Sequence, residues 1–102
     1  MVHYEINKLY EELMPTISTF YGIFVKMFFK DVERHHVPHI HAEYQDDVAV
    51  FAIETGELLA GELPPNKHKF VEVWIEMRRK SLMENWSLAV AGRPLQNIRG
   101  LE

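Results

Sequence analysis

The middle of the chain alternates. From Gly22 to Leu63, apolar and polar residues take turns at a period of two, in short runs divided by turn-forming residues. That period belongs to strands with one face packed and the other wet. In the run Ile23 to Phe29, Ile23, Val25, Met27 and Phe29 share one face, and Phe24, Lys26 and Phe28 share the other with Lys30. His39 to Tyr44 sends Ile40, Ala42 and Tyr44 one way and His39, His41 and Glu43 the other. Asp46-Asp47 turns the chain into Val48 to Ile53, and Thr55-Gly56 turns it into Leu58 to Leu63. Parallel neighbours need a crossover of about a dozen residues or more, so strands joined by such short turns pair antiparallel. With the short β-prone run Ile17 to Phe20, the expectation is an antiparallel sheet of four to five strands.

Helical spacing takes over on either side. Pro64-Pro65 closes the sheet and can open a helix, because proline is tolerated in the first turn. Phe70, Val71, Trp74, Ile75 and Met77 then recur at helical spacing. Ser81 with Glu84 matches a capping box, which predicts the start of a second helix carrying Leu82, Trp86, Ala89 and Val90. No Gly or Pro divides the two, so one long bent helix stays open as the alternative. Gly92 followed by Pro94 is a stop signal. Residues 1–13 read as a helical N-terminal extension with Ile6, Leu9, Tyr10 and Leu13 on one stripe, ended by Pro15. Met14 is a second candidate start. The expectation is an α+β fold: an antiparallel sheet of four to five strands, two C-terminal helices on one face, and the N-terminal extension. Residues 14–102 then form a single α+β domain. A chain of 102 residues, 47% hydrophobic, suffices for one core and leaves no room for two.

Composition narrows the chemistry. The chain has no cysteine, which excludes a disulfide scaffold, a thiolate zinc finger and a cysteine nucleophile. A formal net charge of −4 weighs against sequence-blind nucleic-acid binding, so nucleic acid enters only with a ribonuclease activity. Lys67, His68, Lys69, Arg78, Arg79, Lys80, Arg93 and Arg99 gather in the C-terminal third and read first as solvated helix surface. No apolar run approaches the length of a membrane helix, and the N-terminus lacks a secretory signal, so a cytoplasmic location is expected. Gly56 and Gly61 read as turn or bulge glycines, and Trp74 and Trp86 as core.

The concentrated chemistry is a histidine cluster: His35, His36, His39 and His41 fall within seven residues. Residues two apart on a strand share a face, so His39, His41 and Glu43 form a row. Imidazole titrates near neutrality and is the commonest metal-ligating side chain. His39 and His41, with a third ligand from His35, His36 or Glu43, would suit a divalent metal such as zinc, with a position left for water. Without metal, His39 and His41 would be the catalytic pair, acting as general acid and base on RNA, with Lys26 or Arg34 stabilising the phosphorane. The third reading is structural: the histidines line a half-exposed sheet face and pair with Glu43 or backbone carbonyls.

Several motifs carry a resemblance. They are Met14-Pro15-Thr16-Ile17, Gly22-Ile23, Pro38-His39-Ile40-His41, Thr55-Gly56-Glu57, Gly61-Glu62-Leu63-Pro64, Trp74-Ile75-Glu76 and Asn85-Trp86 before Gly92-Arg93-Pro94-Leu95. In this order and spacing they resemble a bacterial family catalogued as domain of unknown function 4160, over Met14 to about Leu101. The family's approach to the motif looks like His-x-Pro-Pro-His-x-His. His35 falls on its first histidine, and Val37 replaces its first proline. The resemblance implies one member of a two-gene module of toxin–antitoxin type. Small size, the sheet-plus-helices plan and the amphipathic N-terminal segment add the expectation of a protein partner, and a homo-oligomer through a strand edge or that segment is a further prospect. The alternative from the residues themselves is a hydrolase, metal-dependent or driven by the histidines.

Overall fold

The computed structural model describes residues 14–29 and 35–102. The expected N-terminal helix and residues 30–34, Arg34 included, lie outside the described residues.

β1 (Thr16–Phe20), β2 (Ile23–Lys26), β3 (His39–Tyr44), β4 (Asp47–Ala52) and β5 (Leu58–Gly61) form one five-stranded sheet in sequence order. Every neighbouring pair is antiparallel. The first hairpin shows why. Phe20 pairs with Ile23, so Tyr21 and Gly22 make a two-residue turn, with φ of 50° and 78°. Positive φ at both positions gives the turn the twist of the strands it joins.

Several strands are shorter than the alternation suggested. β2 ends at Lys26, although Met27 and Phe28 remain buried. Tyr44 pairs with Asp47, so the second turn is Gln45-Asp46 rather than Asp46-Asp47. β5 ends at Gly61, where φ is 70° and a Cβ would collide with the Val48 carbonyl oxygen.

One helix, α1 (Pro65–Val90), follows the sheet, in place of the two expected. The buried positions explain it. Val71, Trp74, Ile75, Leu82, Asn85 and Trp86 continue one stripe without a phase break. A new helix at Ser81 would have rotated that stripe away from the sheet. The C-terminus stops as Gly92 predicted. Gly92 has φ of 70°, its N–H bonds the Ala89 carbonyl, and the Arg93 N–H bonds that of Leu88. That pairing is a Schellman cap.

The sheet presents Ile17, Phe20, Val25, Ile40, Ala42 and Phe51 to Val71, Trp74, Ile75, Leu82 and Trp86 of α1, in one core. The residues after α1 run back along β1, which the sequence did not suggest. The Ile98 N–H bonds the Ile17 carbonyl at 2.8 Å. Trp74 donates its indole N–H to the Arg99 carbonyl at 2.8 Å, and Asn85 bonds both the carbonyl and the N–H of Gln96. The tail thereby covers an edge that would otherwise offer an unpaired ladder.

Candidate histidine site

β3 sets the site. His39 pairs with Ala52, His41 with Val50 and Glu43 with Val48, so the three share the face opposite Ile40 and Ala42. Ile40 and Ala42 are fully buried in the core that α1 covers, which leaves His41 and Glu43 on the other face, while the ring of His39, at the start of β3, also reaches Trp86 of α1. The segment before β3 is tied to the end of β4 by the Ile53 N–H, which bonds the Pro38 carbonyl at 3.0 Å. That anchor brings His35 back over the start of β3.

Three imidazoles meet there. The ring centroids of His35 and His39 are 4.8 Å apart, those of His39 and His41 5.4 Å, and those of His35 and His41 6.1 Å. The rings are mutually inclined by 57°, 61° and 81°, so they do not stack. His36 is placed differently: it takes a left-handed φ of 63° and is exposed. Glu43 is engaged by Lys26, with Oε1 3.2 Å from Nζ. Lys26 is in register with His41 on the neighbouring strand, where the sequence placed a candidate cation. Of the five residues considered as metal ligands, His35, His39 and His41 are brought together. Among the described residues, no three His, Asp or Glu side chains have their donor atoms gathered for a metal ion as they stand.

His39 differs from the half-exposed row the alternation implied. It is fully buried, with its ring centroid 5.2 Å from that of Trp86 on α1. Its Nδ1 lies 2.7 Å from the Val37 carbonyl oxygen. A carbonyl only accepts, so Nδ1 carries the proton and, in the neutral ring, the lone pair sits on Nε2. Trp86 and the Val37 carbonyl are parts of this site that sequence reasoning missed. Trp86 is distant in the chain, and a backbone carbonyl leaves no mark in a sequence. Beside His35 a cavity of about 220 Å³ opens between Val37-Pro38 and the β4–β5 turn, with Glu54 and Glu57 in its wall.

Residues 22–87 match the family described as "Domain of unknown function (DUF4160)". The chain belongs to that family. The matched stretch runs from β2 through most of α1 and contains all three clustered histidines, Lys26, Glu43 and Trp86. The resemblance read from the motifs is therefore met, over a shorter range than Met14 to Leu101. No curated protein and no solved structure matches the chain. No helix among the described residues is long and apolar enough to cross a membrane.

Proposed function

We propose that this domain of the DUF4160 family is a partner-binding component of a bacterial two-gene module of toxin–antitoxin type. It docks through the sheet face turned away from α1. The observation that carries this reading is the pair Phe24 and Val48, which are 48% and 46% exposed. Both stand in register with Glu43, one on each neighbouring strand, so they share that face. Large apolar side chains side by side around an ion pair are the composition of an interface centre with polar groups beside it. The test is co-expression with the product of the adjacent gene, followed by co-purification. Association should be lost in the double variant Phe24→Ser/Val48→Ser while its melting temperature stays at the parent value. No association at micromolar concentration, or association indifferent to the double variant, would count against the reading.

A second reading, hydrolysis of RNA by histidine acid–base catalysis, is favoured by a different observation. His39 and His41 are adjacent rings, and Lys26 is in register with His41. Two imidazoles at this spacing can serve one reacting group as base and acid, and a lysine nearby can offset developing charge. His41 is the informative position because it is only half-buried. His41→Ala should abolish cleavage of single-stranded RNA with the fold unchanged; cleavage by the variant at the parent rate would sink the idea.

A further inference from the structure

We propose that the cavity beside His35 is the receptor for one arginine side chain, presented by a protein segment that docks across the end of the sheet. This deepens the partner-binding reading and rests on it for the source of the arginine. The cavity's choice of a guanidinium is testable without the partner.

Val48, Val50 and Ala52 alternate along β4 with the core residues Ala49 and Phe51, so they share the face turned away from α1. Val48 belongs to the docking face, and Ala52 lines the cavity. At roughly 3.3 Å per residue the two are about 13 Å apart, a distance that one bound segment spans. Leu59 of β5 forms part of the wall. β5 is the last strand of the sheet, and among the described residues no strand pairs with its outer side. A segment whose arginine enters the cavity therefore has unpaired backbone groups beside it, which an extended peptide can use.

The lining selects the side chain. Val37, Pro38, Ala52 and Leu59 supply apolar walls, and Glu54 and Glu57 bring two carboxylates from the β4–β5 turn. Both glutamates are exposed. The ion pairs among the described residues, Lys26–Glu43 and His68–Glu72, do not include them. Among the described residues no three His, Asp or Glu side chains could hold a metal ion, so the fitting counter-charge is an organic cation. A volume of about 220 Å³ falls below the roughly 300–1,000 Å³ of drug-sized ligand pockets and suits a single side chain. Arginine fits both parts of the lining. Its methylene stem lies well on apolar surface, and its planar, weakly hydrated guanidinium can bond carboxylates on two sides. Lysine offers the stem but a compact, strongly hydrated charge.

The walls are set before anything binds. On one side the Ile53 N–H holds the Pro38 carbonyl at 3.0 Å. On the other the Ala52 N–H bonds the Glu57 carbonyl at 2.8 Å, and the Gly56 N–H bonds that of Ala52 at 2.9 Å. Little of the wall remains to be ordered, which lowers the cost of binding.

The experiment uses the full chain labelled with nitrogen-15, at about pH 8, where an ordinary imidazole is neutral. It is titrated with the peptide acetyl-Ala-Arg-Ala-amide and followed by amide chemical shifts. Saturable shifts are expected at Ala52, Glu54, Glu57 and Leu59, with a Kd in the millimolar range or tighter. The same peptide with citrulline, which keeps the shape and loses the charge, should bind at least tenfold more weakly, and the lysine peptide at least threefold. Free agmatine should also be weaker than the arginine peptide, because it lacks the backbone. Glu54→Gln/Glu57→Gln should weaken the arginine peptide at least tenfold with an unchanged melting temperature, and Glu62→Gln should leave it unaltered. Absence of saturable shifts would overturn the proposal, as would equal binding of the citrulline peptide or indifference to Glu54→Gln/Glu57→Gln. Agmatine binding as tightly as the peptide would assign the cavity to a free small cation and overturn the docked segment. Peptide binding without any association of the adjacent gene's product would sink the two-gene reading and leave the cavity's preference standing.

Discussion

Replacing His39 by alanine should destabilise the domain strongly whatever the histidines do chemically. The ring is fully buried, packs against Trp86 and both neighbouring imidazoles, and donates to the Val37 carbonyl. Truncating a buried side chain of this size costs about 2–4 kcal/mol from lost contacts and the cavity left behind. Losing the Nδ1–H···O=C bond adds about 1 kcal/mol. The sum, about 3–5 kcal/mol, is a large part of the roughly 5–10 kcal/mol that holds a small domain together. At about 4 °C per kcal/mol for a domain of this length, the melting temperature should fall by roughly 12–20 °C. His41→Ala removes a half-buried ring from the same row and should cost under about 1 kcal/mol, or a few degrees. Thermal melts followed by far-ultraviolet circular dichroism, with urea titrations to check that the m-value is unchanged, measure both. A His39→Ala variant melting within about 3 °C of the parent would refute the reasoning, because it would mean that the ring is neither packed nor bonded as described. The contrast has a practical use: lost function in His39→Ala says little about chemistry, whereas lost function in His41→Ala does.

Three further outcomes follow from the packing. Gly61→Ala should cost about 2–5 kcal/mol, the sum of a positive φ and a clash with the Val48 backbone that no side-chain rotation relieves; a urea midpoint near the parent's would contradict the geometry at Gly61. Asn85→Ala removes both bonds to Gln96 and should cost about 2 kcal/mol, with faster hydrogen exchange at Ile98 as the tail loosens. Ser18→Ala should be neutral or stabilising by up to about 1 kcal/mol, since the buried Ser18 hydroxyl has no hydrogen-bond partner among the described residues and its burial is a cost; a loss above 1 kcal/mol would show that the hydroxyl is satisfied.

What the chain declares locally is the sheet and the helix ends. Period-two alternation and turn residues such as Gly22 and Gly56 suffice for an antiparallel meander of four to five strands, because side-chain direction on a strand depends only on neighbours in the chain; that there are five is seen only in the structure. Pro65 and Gly92 mark the limits of α1 for the same reason: both act through their own backbone torsions. The Ser81–Glu84 pair misled because a capping box is a local preference worth about 1 kcal/mol, outweighed by a stripe that buries Val71, Trp74, Leu82 and Trp86 together. Sequence also placed His39 and His41 on one face, and named His35 among the candidates beside them. It could not rank His35 above His36 or Glu43, since that depends on the Pro38–Ile53 bond, the turn at His36 and the reach of Lys26, all set by tertiary contacts. Nor could it show that His39 is sealed beneath Trp86, or that the tail from Gln96 to Glu102 covers the β1 edge. Those arrangements join residues far apart in the chain, so their energies appear only once the helix has docked on the sheet.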